Sequence, residues 1–187
     1  MGHNPQAQAA SLTPRDRLRR AVILCCSFAK NLAYYRAGQD TEALRAGTDF
    51  WRVANNNFLD MCVLEWCRLF VDKGGKHYWG KVIEDSATFE TRLLTHLGLS
   101  GEEFQGSITV MKRYRDKFIA HLDEDRTMLI PRMDVAKRAV WFYHGQIVSN
   151  EAAANDLVGL ATDPDTGYKI CMIEAQSVYR MVRSRPS

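Results

Sequence analysis

Apolar residues recur along most of this chain at steps of three and four, the spacing that places side chains on one face of an α-helix. The Thr13-Pro14 pair begins the first such segment, because threonine caps helices and proline fits their first turn. We expect this helix to end near Gly38. A second, longer helix is expected over residues 41–71, ended by the glycine pair Gly74-Gly75.

The second half of the chain carries further helix signals. Ser100 and Glu103 have the spacing of a capping box, in which each side chain satisfies the other residue's backbone N–H. The predicted elements are an irregular segment at 76–85 anchored by Tyr78 and Trp79, helices over 88–97, 102–122 and 134–148, a weaker helical stretch at 150–160, a turn at 163–167 and a last helix over 168–181. No alternating run flanked by hairpin-turn residues is present. We therefore predict an all-α, single-domain helical bundle over residues 12–187, behind a flexible arm of residues 1–11.

Composition narrows the class of protein. Hydrophobic residues make up 46% of the chain and charged residues 25%, as is usual for a globular protein, and the net charge of +3 permits a basic patch without itself indicating nucleic acid. The five cysteines are odd in number and lack a Cys-x-x-Cys pair, so we expect reduced thiols in a cytoplasmic protein and no metal site. No signal peptide, no apolar run of the roughly 20 residues that span a membrane and no phosphate-binding loop is visible. Neither a membrane nor a cofactor is expected.

The segment 113–123, RYRDKFIAHLD, places a histidine on the apolar side of a basic helix. His121 follows Tyr114 by seven residues, so on an α-helix the two lie nearly in line. Arg115 and His121 are six residues apart, which separates them by about 120° around a straight helix and by about 9 Å along it. They can share one ligand if the helix ends or bends near Ala120, or if a second copy packs alongside in a homodimer.

Arg115-Asp116 followed by His121 resembles the arginine–polar–spacer–histidine motif of the HEPN superfamily. The context, with LEWCRLF at 64–70, WGKV at 79–82 and Pro131 before Ala136, is similar to its abortive-infection (AbiU-type) branch over about residues 40–145. The resemblance implies a helical bundle that dimerises through this helix. It also implies a metal-independent endoribonuclease of a phage-defence or toxin–antitoxin system, with Arg115, Asp116 and His121 as catalytic residues.

This chemistry suits the residue types. RNA carries its own nucleophile, the 2′-hydroxyl, so cleavage needs proton transfer and positive charge at the phosphorus. Histidine titrates near neutrality, and His121 is suited to proton transfer, which contributes about 100- to 10,000-fold to a rate. Arg115 can bind phosphate oxygens as a fork and stabilise developing charge. Lys112, Arg113 and Lys117 are the candidate substrate-binding residues.

Each of these residues also has a structural explanation. A lone histidine on an apolar face is often a hydrogen-bonded core residue. Asp116 can pair with Arg113 or Lys112, and Lys112, Arg113 and Lys117 can form a solvated face. The second functional hypothesis is therefore a non-catalytic HEPN-type module that dimerises or binds nucleotide. Such a module would act with a separate antitoxin or nucleotidyltransferase partner.

Polar positions on the preceding helix are further candidates. The run Asn55-Asn56-Asn57 is unusual inside a helix, since asparagine favours caps over interiors. One of these asparagines, or Asp60, can hydrogen-bond towards the site, whereas a kink or an exposed face is the simpler explanation. Glu65, which has apolar neighbours, is expected to form an ion pair with Arg68 or Arg115.

Overall fold

The computed structural model describes residues 12–39, 49–120, 129–149, 156–160 and 163–183. Regular structure in this part of the chain is entirely helical, which confirms the predicted all-α bundle. The elements are α1 (Pro14–Gln39), α2 (Asp49–Phe70), α3 (Trp79–Val82), α4 (Ser86–Leu97), α5 (Gly101–Tyr114), a π-helical segment (Arg115–Ala120), α6 (Met133–Val148) and α7 (Pro164–Arg183).

The first helix lies at the centre of the bundle. It packs against α2, α3, α6 and α7, so it is covered on several sides. Its buried positions combine large side chains such as Phe28 and Leu32 with small ones such as Ala29 and Ala33. The small residues let neighbouring helices approach closely, while the large ones fill the space between helices.

An aromatic cluster joins α2, α5 and α6 and thereby fixes the helix that carries the basic segment. Trp66 stacks on Phe70 with ring centroids 5.1 Å apart, and Phe104 meets both rings edge-on at 6.2 Å. Tyr143 contacts Phe70 at 5.8 Å. Edge-on and offset pairs of this kind are favoured aromatic geometries, so α5 is held firmly at its first half.

Capping residues define the ends of α4 and the start of α5. The Asp85 carboxylate accepts a hydrogen bond from the Thr88 backbone N–H at 3.1 Å, and Gly98 ends α4 with a φ of 66°. The predicted capping box is confirmed: Glu103 accepts from the Ser100 N–H at 2.7 Å, and the Ser100 hydroxyl accepts from the Glu103 N–H at 3.2 Å.

Two local predictions are wrong. The predicted turn at 163–167 is the start of α7, because Asp163 accepts hydrogen bonds from the N–H groups of Asp165 and Thr166 and Pro164 occupies the first turn. The predicted irregular segment at 76–85 contains the short helix α3. Its first residue, Trp79, is buried, as predicted for an anchor to the core.

Among the described residues, no helix is long and apolar enough to cross a membrane. Three predictions fall on residues outside those that the structure describes. They are the flexible arm at 1–11, the beginning of the second helix at 41–48 and the weak helical stretch at 150–155.

Candidate functional site

The helix with the basic segment changes its hydrogen-bonding pattern at Arg115. Residues 115–120 form a π-helix, in which each N–H bonds to the carbonyl five residues back instead of four. The single α-helix predicted over 102–122 is therefore wrong over residues 115–120. The wider π turns change the side-chain directions within this segment from those of an α-helix. His121 itself lies outside the described residues.

Arg115 is held between two carboxylates. Its Nη1 donates to Asp72 Oδ1 at 2.6 Å, and its Nε donates to Asp116 Oδ1 at 2.8 Å. The Arg115 side chain is 19% exposed. Burial opposes the charge of this guanidinium, but the hydrogen bonds to Asp116 and Asp72 outweigh that effect and raise the pKa of Arg115. Arg115 is therefore a permanently charged group with a fixed orientation.

Asp72 is the partner that the sequence did not reveal. It lies two residues after α2, where its N–H bonds to the Cys67 carbonyl at 2.9 Å and its carbonyl accepts from the Gly75 N–H at 2.6 Å. A Cβ at position 75 would lie 2.9 Å from the Asp72 carbonyl oxygen, so this tight turn favours glycine. The glycine pair indicated a turn, but no spacing related Asp72 to Arg115, which is 43 residues away.

Tyr114 connects the site to the neighbouring helix. Its hydroxyl donates to Asp60 Oδ1 at 2.9 Å, and its ring lies 5.6 Å from that of Phe118. Burial raises the pKa of Asp60, whereas the hydrogen bond from Tyr114 lowers it. Asp60 therefore bonds to the residue next to Arg115, and its predicted role at an active site stays a prediction.

The predicted substrate-binding residues lie around the junction of α5 and the π-helix. Lys112 and Arg113 are exposed in the last turn of α5, and Lys117 is half-buried in the π-helical segment. Asp116 is half-exposed beside Arg115. The roles assigned to all four residues stay predictions, as does that of His121.

Glu65 is buried in the core. Its Oε2 accepts a hydrogen bond from Asn31 Nδ2 at 3.2 Å. Burial raises the pKa of Glu65, while hydrogen bonds from Ser27 and Asn31 and the charge of Arg68 act in the opposite direction. Arg115 binds Asp72 and Asp116, so the alternative in which it pairs with Glu65 is wrong.

Replacing Glu65 with glutamine should stabilise the protein at pH 7 by on the order of 1 kcal/mol, because the neutral amide keeps the size of the side chain without a buried charge. The pKa of Glu65 is raised above its ordinary value of 4.5, so the folded state holds the proton more tightly than the unfolded state. Wild-type stability should therefore fall as the pH rises above that value, and the glutamine variant should lack this loss.

The measurement is thermal unfolding of both proteins at pH 4 and pH 7. The gain in Tm from Glu65→Gln should be larger at pH 7 than at pH 4, while Glu84→Gln at an exposed position should show no such difference. An equal gain at both pH values would contradict the assignment of Glu65 as a buried, destabilising charge.

The asparagine run has a structural explanation at one position. Asn55 is buried, and its Oδ1 accepts a hydrogen bond from the Tyr179 hydroxyl at 3.2 Å, which links α2 to α7. Asn56 and Asn57 are exposed. Asn55 therefore joins helices and does not point to the site around Arg115.

His144, His96 and the cysteines contact neighbouring side chains or lie in the core. His144 is buried with its Nε2 3.9 Å from Cys26 Sγ, and the His96 ring packs against Phe142 at 5.0 Å. All five cysteines are free thiols. Burial raises the pKa of the Cys67 thiol to about 12, although Arg115 lies beside it, so this thiol stays protonated at neutral pH.

Within the described ranges, no three His, Cys, Asp or Glu side chains are grouped so that they can hold a metal ion. In comparisons with known proteins, no family model matches the chain, no curated protein matches its sequence and no solved structure matches its fold. The likeness to the HEPN superfamily therefore rests on the sequence resemblance alone.

Proposed function

We propose that the protein is a homodimeric, metal-independent endoribonuclease of HEPN type that acts in phage defence or as a toxin. The observation that carries the proposal is the coincidence of the π-helix with the motif: it begins at Arg115 and covers Asp116. π-helical turns are rare, and they occur frequently at functional sites because they direct side chains that an α-helix would place elsewhere. The π-helix lies in the segment between Arg115 and His121, the two motif residues that must come close together to act on one phosphate.

Arg115 is suited to bind the scissile phosphate. A guanidinium carries more N–H donors than the two that bind Asp72 and Asp116, so it can still donate to phosphate oxygens. The two carboxylates fix its orientation, which lowers the reorganisation needed when charge develops in the transition state. In this role Asp72 and Asp116 are positioning residues for the Arg115 side chain. Asp72 is not part of the sequence motif.

His121 is assigned proton transfer. One copy accepts the proton of the RNA 2′-hydroxyl, which attacks the adjacent phosphorus. A second copy, from the other subunit of the dimer, protonates the 5′-oxygen as it leaves. The products are a 2′,3′-cyclic phosphate and a free 5′-hydroxyl.

The test is incubation of the purified protein in EDTA with an RNA strand and with DNA of the same sequence. We expect the RNA to be cut to fragments that end in cyclic phosphate, and the DNA to remain intact because it lacks the 2′-hydroxyl. Cleavage of both strands, or cleavage that EDTA abolishes, would overturn the proposed chemistry. Intact RNA under all conditions would favour the second candidate.

The second candidate is a non-catalytic HEPN-type module that dimerises or binds nucleotide and acts with an antitoxin or nucleotidyltransferase. One observation favours it: Arg115 already has two carboxylate partners, Asp72 and Asp116. A guanidinium that is paired with two carboxylates in this way can stabilise the fold without binding a substrate. In that case the RNA would stay intact, and replacing Arg115 would lower stability without any catalytic effect.

A further inference from the structure

A small surface pocket lies where α1, α2 and α7 meet, and its walls are almost entirely apolar. Its volume of about 140 Å³ is below the roughly 300 to 1,000 Å³ of pockets that hold drug-sized ligands, so it suits a small chemical group. Four aromatic rings and one carboxylate contribute to its lining: Tyr34 on α1, Trp51 and Phe58 on α2, and Tyr179 and Glu174 on α7.

The aromatic rings of this pocket are fixed by contacts with one another and with the core. The ring centroids of Tyr34 and Phe58 are 5.1 Å apart, and those of Trp51 and Tyr179 are 5.6 Å apart. Tyr179 is buried, and its hydroxyl donates to Asn55 Oδ1 at 3.2 Å. Tyr34, Trp51 and Phe58 are only partly buried, so a ligand can reach their surfaces from solvent.

The pocket carries one acidic group. Glu174 is exposed, and its Oε2 accepts a hydrogen bond from the Tyr34 hydroxyl at 3.3 Å, which holds the carboxylate beside the rings. Among the described residues that line the pocket, none is a lysine or an arginine. Basic residues of the same three helices form ion pairs with other acids: Lys169 with Asp165, Arg36 with Asp134 and Arg52 with Asp49. The pocket therefore offers a negative charge to a ligand.

Aromatic faces and a carboxylate together attract cations. A ring face carries partial negative charge, so a cation within about 6 Å of the ring centroid is attracted to it. The fold already contains such a contact, because Lys137 Nζ lies 4.0 Å from the centroid of the Tyr168 ring and 5.1 Å from that of Trp141.

The apolar walls select among cations. A primary ammonium or a hydrated metal ion would lose hydrogen bonds to water that these walls do not replace, and this loss opposes its binding. A quaternary ammonium ion has no N–H group to satisfy, and its alkyl groups can contact apolar walls. It is also the kind of cation for which proteins use cages of aromatic rings.

We propose that this pocket binds the quaternary ammonium group of a small solute, with its alkyl groups against the four aromatic rings and its charge beside Glu174. A pocket of this volume encloses one small cationic group, so the solute needs no further contacts with the protein. The pocket lies outside the Arg115 motif, and the inference does not depend on the proposed nuclease activity.

The test is a titration of the purified protein with choline, followed by calorimetry and by NMR of the choline methyl protons. We expect saturable binding at concentrations up to about 10 mM. The methyl resonance should shift upfield, because these protons lie over aromatic faces. The alcohol in which a carbon atom replaces the nitrogen of choline has the same shape without the charge, and it should bind at least about tenfold more weakly. Equal binding of the two compounds, or no saturable binding of choline, would overturn the proposal.

Two variants test the residues of the pocket. Glu174→Gln removes the charge but keeps the size of the side chain, so it should weaken choline binding several-fold and leave binding of the neutral alcohol unchanged. Trp51→Leu keeps an apolar side chain without a ring face and should weaken choline binding about tenfold. Glu84→Gln, at an exposed position outside the pocket, is the matched control and should bind choline as wild type does. Unchanged choline binding in both pocket variants would contradict the assigned site.

A peptide that carries a trimethylated lysine distinguishes a free solute from a modified protein. We expect the peptide to bind no more tightly than choline, because the pocket encloses only the ammonium group. Binding at least about tenfold tighter than that of choline would assign the pocket to a modified partner protein and overturn the small-solute proposal. Circular dichroism of each variant checks that a loss of binding is not a loss of fold.

Discussion

Replacing His121 with alanine is expected to reduce RNA cleavage in EDTA by at least about 100-fold, the contribution that one positioned proton-transfer group makes. RNA binding should change little, because the loss falls on proton transfer and not on phosphate contacts. The measurement is single-turnover cleavage of a labelled strand. His96→Ala is the matched control: it removes another histidine, exposed on α4, and should leave the rate unchanged.

Mixed dimers distinguish a composite site from a site within one subunit. If the site takes one His121 from each subunit, a mixed dimer of wild type and His121→Ala holds only one of the two histidines and should be inactive. After equal amounts of the two proteins have exchanged subunits, only the wild-type dimers, about a quarter of the total, should then cleave RNA. A site that is complete within each subunit would instead leave about half of the activity of the same amount of wild-type protein, and that result would contradict a composite site.

Equal cleavage by wild type and His121→Ala would remove this histidine from the mechanism. The Arg115→Gln variant needs a check of stability, because Arg115 also holds Asp72 and Asp116 in the folded protein. If Arg115→Gln lowers the Tm but cleavage survives, the non-catalytic role of Arg115 is supported.

Replacing Gly38 with alanine is expected to lower the free energy of unfolding by about 2 kcal/mol, in the range observed for overpacked cores. An added Cβ would overlap Asn55 Oδ1 and would lie 2.9 Å from Asn55 Cγ and 3.0 Å from the Tyr179 hydroxyl oxygen. Asn55 cannot move away without losing its hydrogen bond with Tyr179, and both side chains are buried. The ordinary advantage of alanine over glycine in a helix, about 1 kcal/mol, only partly offsets this strain.

The measurement is urea unfolding of wild type, Gly38→Ala and Gly145→Ala. Gly145 lies inside α6 with no atom within 4 Å of an added Cβ, so alanine there should stabilise by about 0.5–1 kcal/mol. Opposite signs at the two positions are the expected result. If Gly38→Ala stabilised as much as Gly145→Ala, the close packing of α1, α2 and α7 around Asn55 would be wrong.

Most helix boundaries followed from local sequence signals. The spacing of apolar residues and the caps at Thr13, Ser100 and Gly98 act within a few residues, so they can be recognised without the tertiary structure. The segment 163–167 is predicted as a turn, although an aspartate followed by proline is also the pattern of a helix start. The structure shows that one glycine in a first turn does not prevent a helix.

The surroundings of Arg115 depend on contacts between residues that are far apart in the sequence, and no local sequence pattern reveals such contacts. Arg115 was predicted from the motif, but its partner Asp72 is 43 residues away, and Asn55 meets Tyr179 across 124 residues. Such pairs are chosen by how helices pack, and many polar residues in the chain could satisfy the same chemistry.

The sequence by itself determined the all-α class and most helix limits, because periodicity and capping are short-range properties. Only the tertiary structure decided the change to a π-helix at Arg115 and the ion pair of Arg115 with Asp72. These features depend on packing and electrostatic interactions between elements that are distant in the chain. Local sequence leaves several backbone geometries nearly equal in energy, and the contacts between elements select one of them.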